Sequence, residues 1–169
     1  MKKMFLMVIL MVAVLSFTGC GTKGGAKDTS KSGNLDGSLE ELIKEIYATA
    51  DIDSNFKEYV DSGTMFVEVN EENVEYHLGK ADIEFEEALA SEPIMQPGAY
   101  SLVLVRVKEG ADIETIKNEI KENVDPFKWV CVGVAEENVI VDSIGDVIFL
   151  VMSDDQAQNL HEAFLGLGK

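Results

Sequence analysis

The chain has 169 residues, of which 31 are acidic and 14 basic, so its formal net charge is −17. After position 37 the imbalance is larger, with 29 acidic residues against 9 basic ones. Such a surface repels phosphate backbones, which argues against nucleic acid as a partner. The roughly 130 residues that follow position 37 are enough for one domain with its own hydrophobic core.

The first twenty residues have the layout of a secretory signal peptide. Lys2 and Lys3 form a charged start, residues 4–17 are apolar apart from one serine, and small residues precede Cys20. The apolar stretch is shorter than the ~20 residues that a membrane-spanning helix needs. These features predict a cleaved signal over residues 1–19, with an uncleaved N-terminal anchor as the alternative.

The segment that ends at Cys20 also resembles the bacterial lipobox, in which the cysteine is lipidated and becomes the mature N-terminus. Phe17 stands where that motif usually carries leucine. The resemblance implies a diacylglycerol and palmitate anchor on Cys20, and two acyl chains are enough for stable membrane attachment. It also implies that the folded part lies at the outer face of the cytoplasmic membrane.

Residues 20–37 are predicted to form a flexible tether between this anchor and the domain. Glycine, serine, threonine and lysine dominate the segment, so it offers almost nothing to bury. Random-coil scaling gives a segment of this length a span of about 25 Å. A single domain is therefore predicted over residues 38–169.

Three helices are predicted from apolar stripes and their capping residues. Residues 38–50 carry apolar side chains at helical spacing behind a serine–glutamate capping box. Asp112 caps a second stripe. Ser153 and Gln156 form another capping box ahead of the last stripe, which runs toward the C-terminus.

Strands are predicted where apolar residues alternate or run together between turn signals. The clearest segment is YSLVLVRV, which is apolar on both faces and therefore indicates a central position. Residues 71–78 are predicted as a short helix closed by Gly79, although a hairpin arm fits the same pattern. Residues 51–63 show no clear regular pattern. Residues 127–134 fit either a strand or a helical turn followed by a loop. The predicted strands are residues 64–69, 82–92, 100–107, 139–142 and 146–152.

The order of these elements predicts an α+β domain. The strand at residues 100–107 is followed by a helix and then by a hairpin. This order favours a mixed, mostly antiparallel sheet with helices packed on one face. No internal repeat occurs in the sequence.

Signatures of catalysis and metal binding are missing from the sequence. His77 and His161 lack a second ligand at metal-binding spacing, and no P-loop, nucleophile elbow or dinucleotide fingerprint occurs. Residues 51–55 (DIDSN) echo the start of a calcium loop, but Phe56 and Ser62 stand where that loop needs Gly and Glu. We therefore expect no cofactor, no metal site and no catalytic residue.

Eight carboxylates are concentrated between residues 68 and 87, against Lys80 alone. A charge run of this kind is usually a solvated face, and the alternatives are a loosely held divalent cation or a basic partner. The eight are Glu68, Glu71, Glu72, Glu75, Asp82, Glu84, Glu86 and Glu87.

The apolar run WVCVGV and the residues before it contain three further candidates. Cys131 is predicted to be a buried structural thiol, because a free cysteine packs as a small hydrophobic residue; a reactive thiol is the alternative. Trp129 fits the core better than a ligand platform. Trp129 and Lys128 are nevertheless the side chains that we select as a possible interaction surface.

The phrases VDPFKWVCVGV and GDVIFLVMS resemble a family of uncharacterised lipoproteins of Gram-positive anaerobes, mainly clostridia, built on a domain of unknown function. The resemblance covers roughly residues 38–167 and is strongest over residues 90–152. It implies a small lipid-anchored domain outside the cytoplasmic membrane. It implies no activity, substrate or active-site residue.

Together these observations predict a membrane-anchored, extracytoplasmic lipoprotein that binds a protein or cell-envelope partner and is not an enzyme. The alternative is a hydrolase-like cell-envelope enzyme whose site is assembled from scattered carboxylates. Such a site needs two Asp or Glu residues in one cleft, with the pKa of one raised by burial.

Overall fold

The computed structural model describes residues 33–169. The predicted signal peptide, Cys20 and the first part of the tether lie outside the described residues. One 3₁₀ turn, Glu136–Asn138, accompanies five helices and five strands in the described part of the chain. In chain order these are α1 (Leu39–Thr49), α2 (Ser54–Ser62), β1 (Thr64–Glu68), α3 (Val74–Leu78), β2 (Glu87–Pro93), β3 (Ser101–Arg106), α4 (Ile113–Asn123), β4 (Val139–Ile144), β5 (Val147–Met152) and α5 (Ala157–Leu167).

The five strands form one open sheet in the order β1-β2-β3-β5-β4, and every neighbouring pair is antiparallel. β3 lies at the centre, as its two apolar faces predict, while β1 and β4 are the edges. The predicted α+β class and single domain are therefore confirmed. No helix within residues 33–169 is long and apolar enough to cross a bilayer.

The helices cover both faces of the sheet rather than the one face that was predicted. On one side, which we call the α1 face, α1, α2 and α5 pack over Leu102 and Leu104 of β3. On the other, the α4 face, α3, α4 and the loop 125–134 pack over Val103 and Val105. The physical reason is that β3 and β5 are apolar on both sides, so each side needs a cover.

Capping residues begin the helices where the sequence places them. Ser38 and Glu41 form the predicted capping box of α1, and Asp112 accepts from the Thr115 N–H at the start of α4. Before α5, Ser153 Oγ accepts from the Gln156 N–H, which is one half of the predicted box. These contacts satisfy backbone donors that a helix start leaves without partners.

Several element boundaries differ from the prediction. Residues 51–63 were expected to be irregular, but Asp53 accepts from two backbone N–H groups and begins α2. The DIDSN motif is therefore explained by a helix cap rather than by a cation loop. β2 begins at Glu87, five residues later than predicted, and α3 spans only five residues. Gly79 ends α3 with φ 82°, as expected for a left-handed C-cap.

The end of the predicted tether is part of the fold. Leu35 is buried in the core of the α1 face, and Arg106 donates to the carbonyl oxygens of Leu35 (2.9 Å) and Gly37 (2.8 Å). At Gly145, a Cβ would lie only 2.3 Å from the Gly33 carbonyl oxygen, so that turn accepts the segment because it has no side chain. Leu35 and Gly37, which the sequence assigns to the tether, are therefore held against the domain.

Candidate functional site

A buried charged cluster lies on the α4 face at the end of β2. The Oε1 atom of Glu92 accepts three hydrogen bonds, from Ser101 Oγ (2.6 Å), Lys128 Nζ (2.8 Å) and His77 Nδ1 (3.2 Å). All four side chains are buried or nearly so. We call these four residues the Glu92 cluster.

The fold brings the Glu92 cluster together from four separate segments. Glu92 and Ser101 come from neighbouring strands, and continuing the β2–β3 register by one residue places them opposite each other. His77 comes from α3, and Lys128 comes from the loop that follows α4. Lys128 Nζ also lies 4.6 Å from the ring centroid of Tyr76, within the range of a cation–π contact.

Burial and hydrogen bonding act in opposite directions on the two charges of this cluster. Burial by itself would raise the pKa of Glu92, but the hydrogen bond from His77 and the Lys128 ammonium outweigh it and hold the pKa below its usual range. Burial lowers the pKa of Lys128, and the neighbouring Glu92 only partly offsets that effect. Glu92 is therefore ionised at neutral pH and supplies the charge that Lys128 needs.

Serine, lysine and a carboxylate are residue types that hydrolases use, but their arrangement here is closed. Ser101 is completely buried, and its hydroxyl donates to Glu92 instead of facing solvent. Lys128 Nζ lies 3.3 Å from Ser101 Oγ but is held by the carboxylate at 2.8 Å. A nucleophile must reach a substrate carbon, so this geometry acts as a structural tie between elements.

Four exposed apolar side chains lie on β1, α3 and the loop 125–134, beside residues of the Glu92 cluster in register, contact or sequence, and we call them the apolar rim. Tyr76 packs on Lys128, whereas Phe127 and Val130 flank Lys128 and Trp129 in sequence. The fourth, Met65, is the β1 partner of Glu92, so its side chain lies on the same face of the sheet. The members of the apolar rim are Met65, Tyr76, Phe127 and Val130, of which Phe127 is 65% and Val130 66% exposed.

The structure buries both side chains of the interaction surface that the sequence suggests. Trp129 is only 5% exposed and belongs to the core of the α4 face, and the Lys128 side chain is 3% exposed. Both lie beneath the surface, so the residues on either side of them are the ones that a partner could touch. Cys131 is exposed and has φ 62°, which corrects the prediction of a buried thiol.

Five of the eight carboxylates of the predicted acidic cluster line one open cleft of about 680 Å³. Its carboxylates are all exposed, and two of them have basic partners: Asp82 with Lys80 (3.2 Å) and Glu84 with Lys108 (3.5 Å). Within residues 33–169 no group of three or more His, Cys, Asp or Glu side chains is placed to hold a metal ion. The five are Glu68, Glu71, Asp82, Glu84 and Glu86.

The other three carboxylates of that cluster lie apart from the cleft. Glu87 accepts from Arg106 Nε at 2.9 Å and so belongs to the contacts that hold the N-terminal segment. Glu72, just before α3, and Glu75, within α3, are both exposed. The eight carboxylates therefore form a cleft and a scattered surface charge, not one site.

A second buried polar pair lies on the α1 face and was not predicted. The hydroxyls of Tyr47 and Tyr100 are 2.6 Å apart, and the rings of Phe56 and Tyr59 both pack edge-on against Tyr100. Burial raises the pKa of Tyr47 to about 12, and it raises the pKa of Tyr100 well above its usual value. Both hydroxyls are therefore neutral, and each gives the other its hydrogen-bond partner.

The chain matches no protein-family model, no curated protein and no solved structure. The resemblance to the clostridial lipoprotein family therefore stays a prediction. What the protein does is argued below from its sequence and its own geometry.

Proposed function

We propose that the protein is a lipid-anchored interaction module, held through Cys20 at the outer face of the cytoplasmic membrane of a Gram-positive bacterium. The observation that carries the interaction role is the apolar rim. Isolated exposed apolar residues are normal on a protein surface, but a group of them around one point marks a contact site. Aromatic residues and methionine are also the types that protein interfaces favour.

The Glu92 cluster supports this function because it fixes the surface on which the rim lies. Lys128 is tied to β2 through Glu92 and contacts Tyr76 of α3 through its ammonium group. The loop 125–134 is thereby attached to two other elements, so Phe127 and Val130 are presented on a defined backbone. A preorganised surface loses less conformational entropy when a partner binds.

The alternative enzyme has no specific observation in its favour. A carboxylate-based hydrolase needs a pair of acids of which one is kept protonated by burial. The acidic cleft brings carboxylates together, but each one that lines it is exposed. Glu92 is buried, but its contacts are His77, Ser101 and Lys128 rather than a second carboxylate.

The anchor is tested by the mass and the location of the protein purified from its own cells. We expect a mature product that begins at Cys20 and carries acyl groups, found in the membrane fraction. Cys20→Ala removes the thiol that the lipid needs and should move the folded domain to the soluble fraction. A Cys20→Ala product that stays in the membrane, or a native product that still begins at Met1, would overturn the anchor.

The interaction role is tested by placing a photo-activated crosslinking residue at Val130 of the full-length chain in its native membrane. The matched control carries the same residue at Gln158, which is exposed on α5 on the opposite side of the sheet. We expect a defined crosslinked species with Val130 and none with Gln158. Equal crosslinking from both positions, or none from either, would mean that the apolar rim is not a contact site.

A further inference from the structure

We propose that β1 is a docking edge, to which an extended basic peptide segment of the partner adds as a sixth strand of the sheet. This inference rests on the proposed interaction function and names the surface and the chemistry of the partner. Strand addition to an open sheet edge is a common way in which domains bind peptides, because backbone groups supply the affinity.

Two hydrogen bonds fix which backbone groups of β1 face outward. The Val69 N–H donates to the Ala88 carbonyl, and the Ile94 N–H donates to the Gly63 carbonyl, each at 2.9 Å. In an antiparallel pair, the residues that bond across the ladder alternate with residues that point away from it. With the register of β1 and β2, the backbone groups of residues 63, 65, 67 and 69 therefore bond to β2. The backbone N–H and carbonyl groups of residues 64, 66 and 68 point away from β2.

The outward groups of β1 are available for a new strand. Among the described residues, no hydrogen bond involves the backbone N–H or carbonyl of Thr64 or Phe66, or the N–H of Glu68. Only the Glu68 carbonyl is occupied, by the Asn73 side chain at 2.9 Å. The free groups lie at the spacing at which an incoming strand exchanges its own hydrogen bonds.

The opposite edge of the sheet is partly occupied by hydrogen bonds from its own chain. On β4, the corresponding outward N–H groups of Val139 and Ser143 are taken by the Glu136 carbonyl and the Asp142 carboxylate. Natural sheets also protect their edges with lysine, proline or bulges. β1 (TMFVE) has none of these, and its residues pair with β2 without interruption.

Exposed apolar side chains on both faces of β1 offer contacts to a partner strand, whichever face its own apolar residues take. Met65 points to the α4 face and is 50% exposed, whereas Phe66 points to the α1 face and is 36% exposed. A strand beside β1 would cover both of them. Met65 also belongs to the apolar rim, so the edge and the rim share this residue.

Charge selects a basic partner. β1 ends at Glu68, which also lines the acidic cleft with Glu71, Asp82, Glu84 and Glu86. A strand that continues past Glu68 meets these carboxylates, so lysine or arginine at that end would be attracted. A second copy of this chain would bring a further excess of twenty negative charges after position 37, which repels it from the same edge.

The first test uses hydrogen exchange of single amides in the soluble domain, residues 33–169 fused behind a cleavable leader. In the free protein we expect fast exchange at Phe66 and Glu68 and slow exchange at Met65 and Val67, because only the latter two bond to β2. Adding a seven-residue peptide of alternating lysine and valine should slow exchange at Phe66 and Glu68. A peptide that binds without protecting these amides would overturn strand addition and leave the proposed interaction role standing.

The second test compares two substitutions at one position. Phe66→Pro removes an outward N–H that β2 does not use, and proline is tolerated at such edge positions. It should weaken peptide binding about tenfold or more, whereas Phe66→Ala keeps the N–H and should weaken it much less. Equal affinities for the two variants would exclude a backbone ladder.

Charge is tested without changing the backbone. Glu68→Lys should weaken binding of the lysine–valine peptide and improve binding of a glutamate–valine peptide, and the wild-type domain should prefer the former. If Phe66→Pro fails to fold, Glu68→Lys still tests whether a basic peptide binds at β1. If neither peptide binds the wild-type domain, or if the acidic one binds better, the inference fails, while the crosslinking at Val130 decides the proposed function separately.

Discussion

Two buried polar clusters lie back to back across the sheet and do different things for the molecule. Tyr100 and Ser101 are successive residues of one strand region, so one side chain enters the α1 face and the other enters the α4 face. On the α1 face the partner is the neutral Tyr47 hydroxyl; on the α4 face it is the ionised Glu92. The comparison separates a pair that completes a core from a cluster that ties separate elements together.

The two clusters differ in their net contribution to stability and in the number of elements that they connect. A neutral hydroxyl pair replaces hydrogen bonds to water at a small net gain, about 1 kcal/mol. A buried ion pair gains little net stability, because removing both charges from water offsets their attraction. The Glu92 cluster nevertheless connects β2, α3 and the loop 125–134, and the tyrosine pair connects only α1 with the start of β3.

The largest effect is expected for Glu92→Ala. It leaves the buried Lys128 ammonium without its counter-charge, and breaking a buried pair from one side typically costs about 3–5 kcal/mol. The measurement is the free energy of unfolding from urea denaturation of the soluble domain. Glu92→Gln is the control, since its Oε1 can still accept all three hydrogen bonds while the charge is lost and Oε2 is replaced by an amide group.

A double variant at Glu92 and Lys128 shows whether this ion pair stabilises the fold or positions the loop 125–134. Replacing both charges by apolar residues, as Glu92→Leu with Lys128→Met, should recover part of the lost stability, because no unpaired charge remains although Ser101 Oγ and His77 Nδ1 lose their acceptor. Crosslinking from Val130 should nevertheless stay weak, because the loop has lost its tie to β2. If the double variant crosslinks as well as the wild type, the Glu92 cluster does not organise the rim.

A smaller effect is expected on the α1 face. Tyr100→Phe leaves the Tyr47 hydroxyl buried without its partner, at a cost of about 1–3 kcal/mol in the free energy of unfolding. Because the Tyr47→Phe/Tyr100→Phe double variant removes both members of this hydrogen bond, it should be more stable than Tyr100→Phe alone and close to the wild type. A double variant that is as unstable as the sum of the two single variants would contradict the pairing.

The pH dependence separates the two faces further. The pKa of Glu92 is lower in the folded state than the ~4.3 of an unfolded glutamate, so the unfolded state binds more protons at acidic pH. The stability that Glu92 contributes is therefore present above about pH 5 and is lost as pH falls through the folded pKa. We expect the difference in unfolding free energy between the wild type and Glu92→Gln to shrink below pH 5, whereas the Tyr100→Phe difference stays constant there.

The sequence predicts those parts of the fold that depend on neighbouring residues. α1 and α4 have an apolar stripe and a capping residue within a few positions, and β3 is apolar on both sides, so each is recognisable locally. α2 is not predicted because its one signal, the Asp53 cap, lies in a polar stretch without a clear apolar stripe. Its packing on Tyr100 is a contact between residues far apart in the chain.

The candidate site could not be predicted, because its contacts are long-range. Glu92 meets Lys128 over 36 positions, and Arg106 holds the Leu35 carbonyl over 71. Trp129 and Cys131 lie in an apolar run that gives no sign of which side chains turn inward. The loop buries the tryptophan and exposes the cysteine, and that assignment depends on how the loop crosses the α4 face.

The smallest effect on stability, and the sharpest test of the comparison, is expected for Val130→Ser. Its side chain is 66% exposed, and surface substitutions of this kind usually change the free energy of unfolding by less than about 0.5 kcal/mol. The residue beside it, Trp129, is buried, so Trp129→Ala should instead cost about 3–5 kcal/mol. If the rim is a contact surface, a crosslinker moved to Phe127 should lose most of its product when Val130→Ser is added, although the domain remains equally stable. A rim variant that lowers stability as much as the buried one would show that these residues serve the core and not a partner.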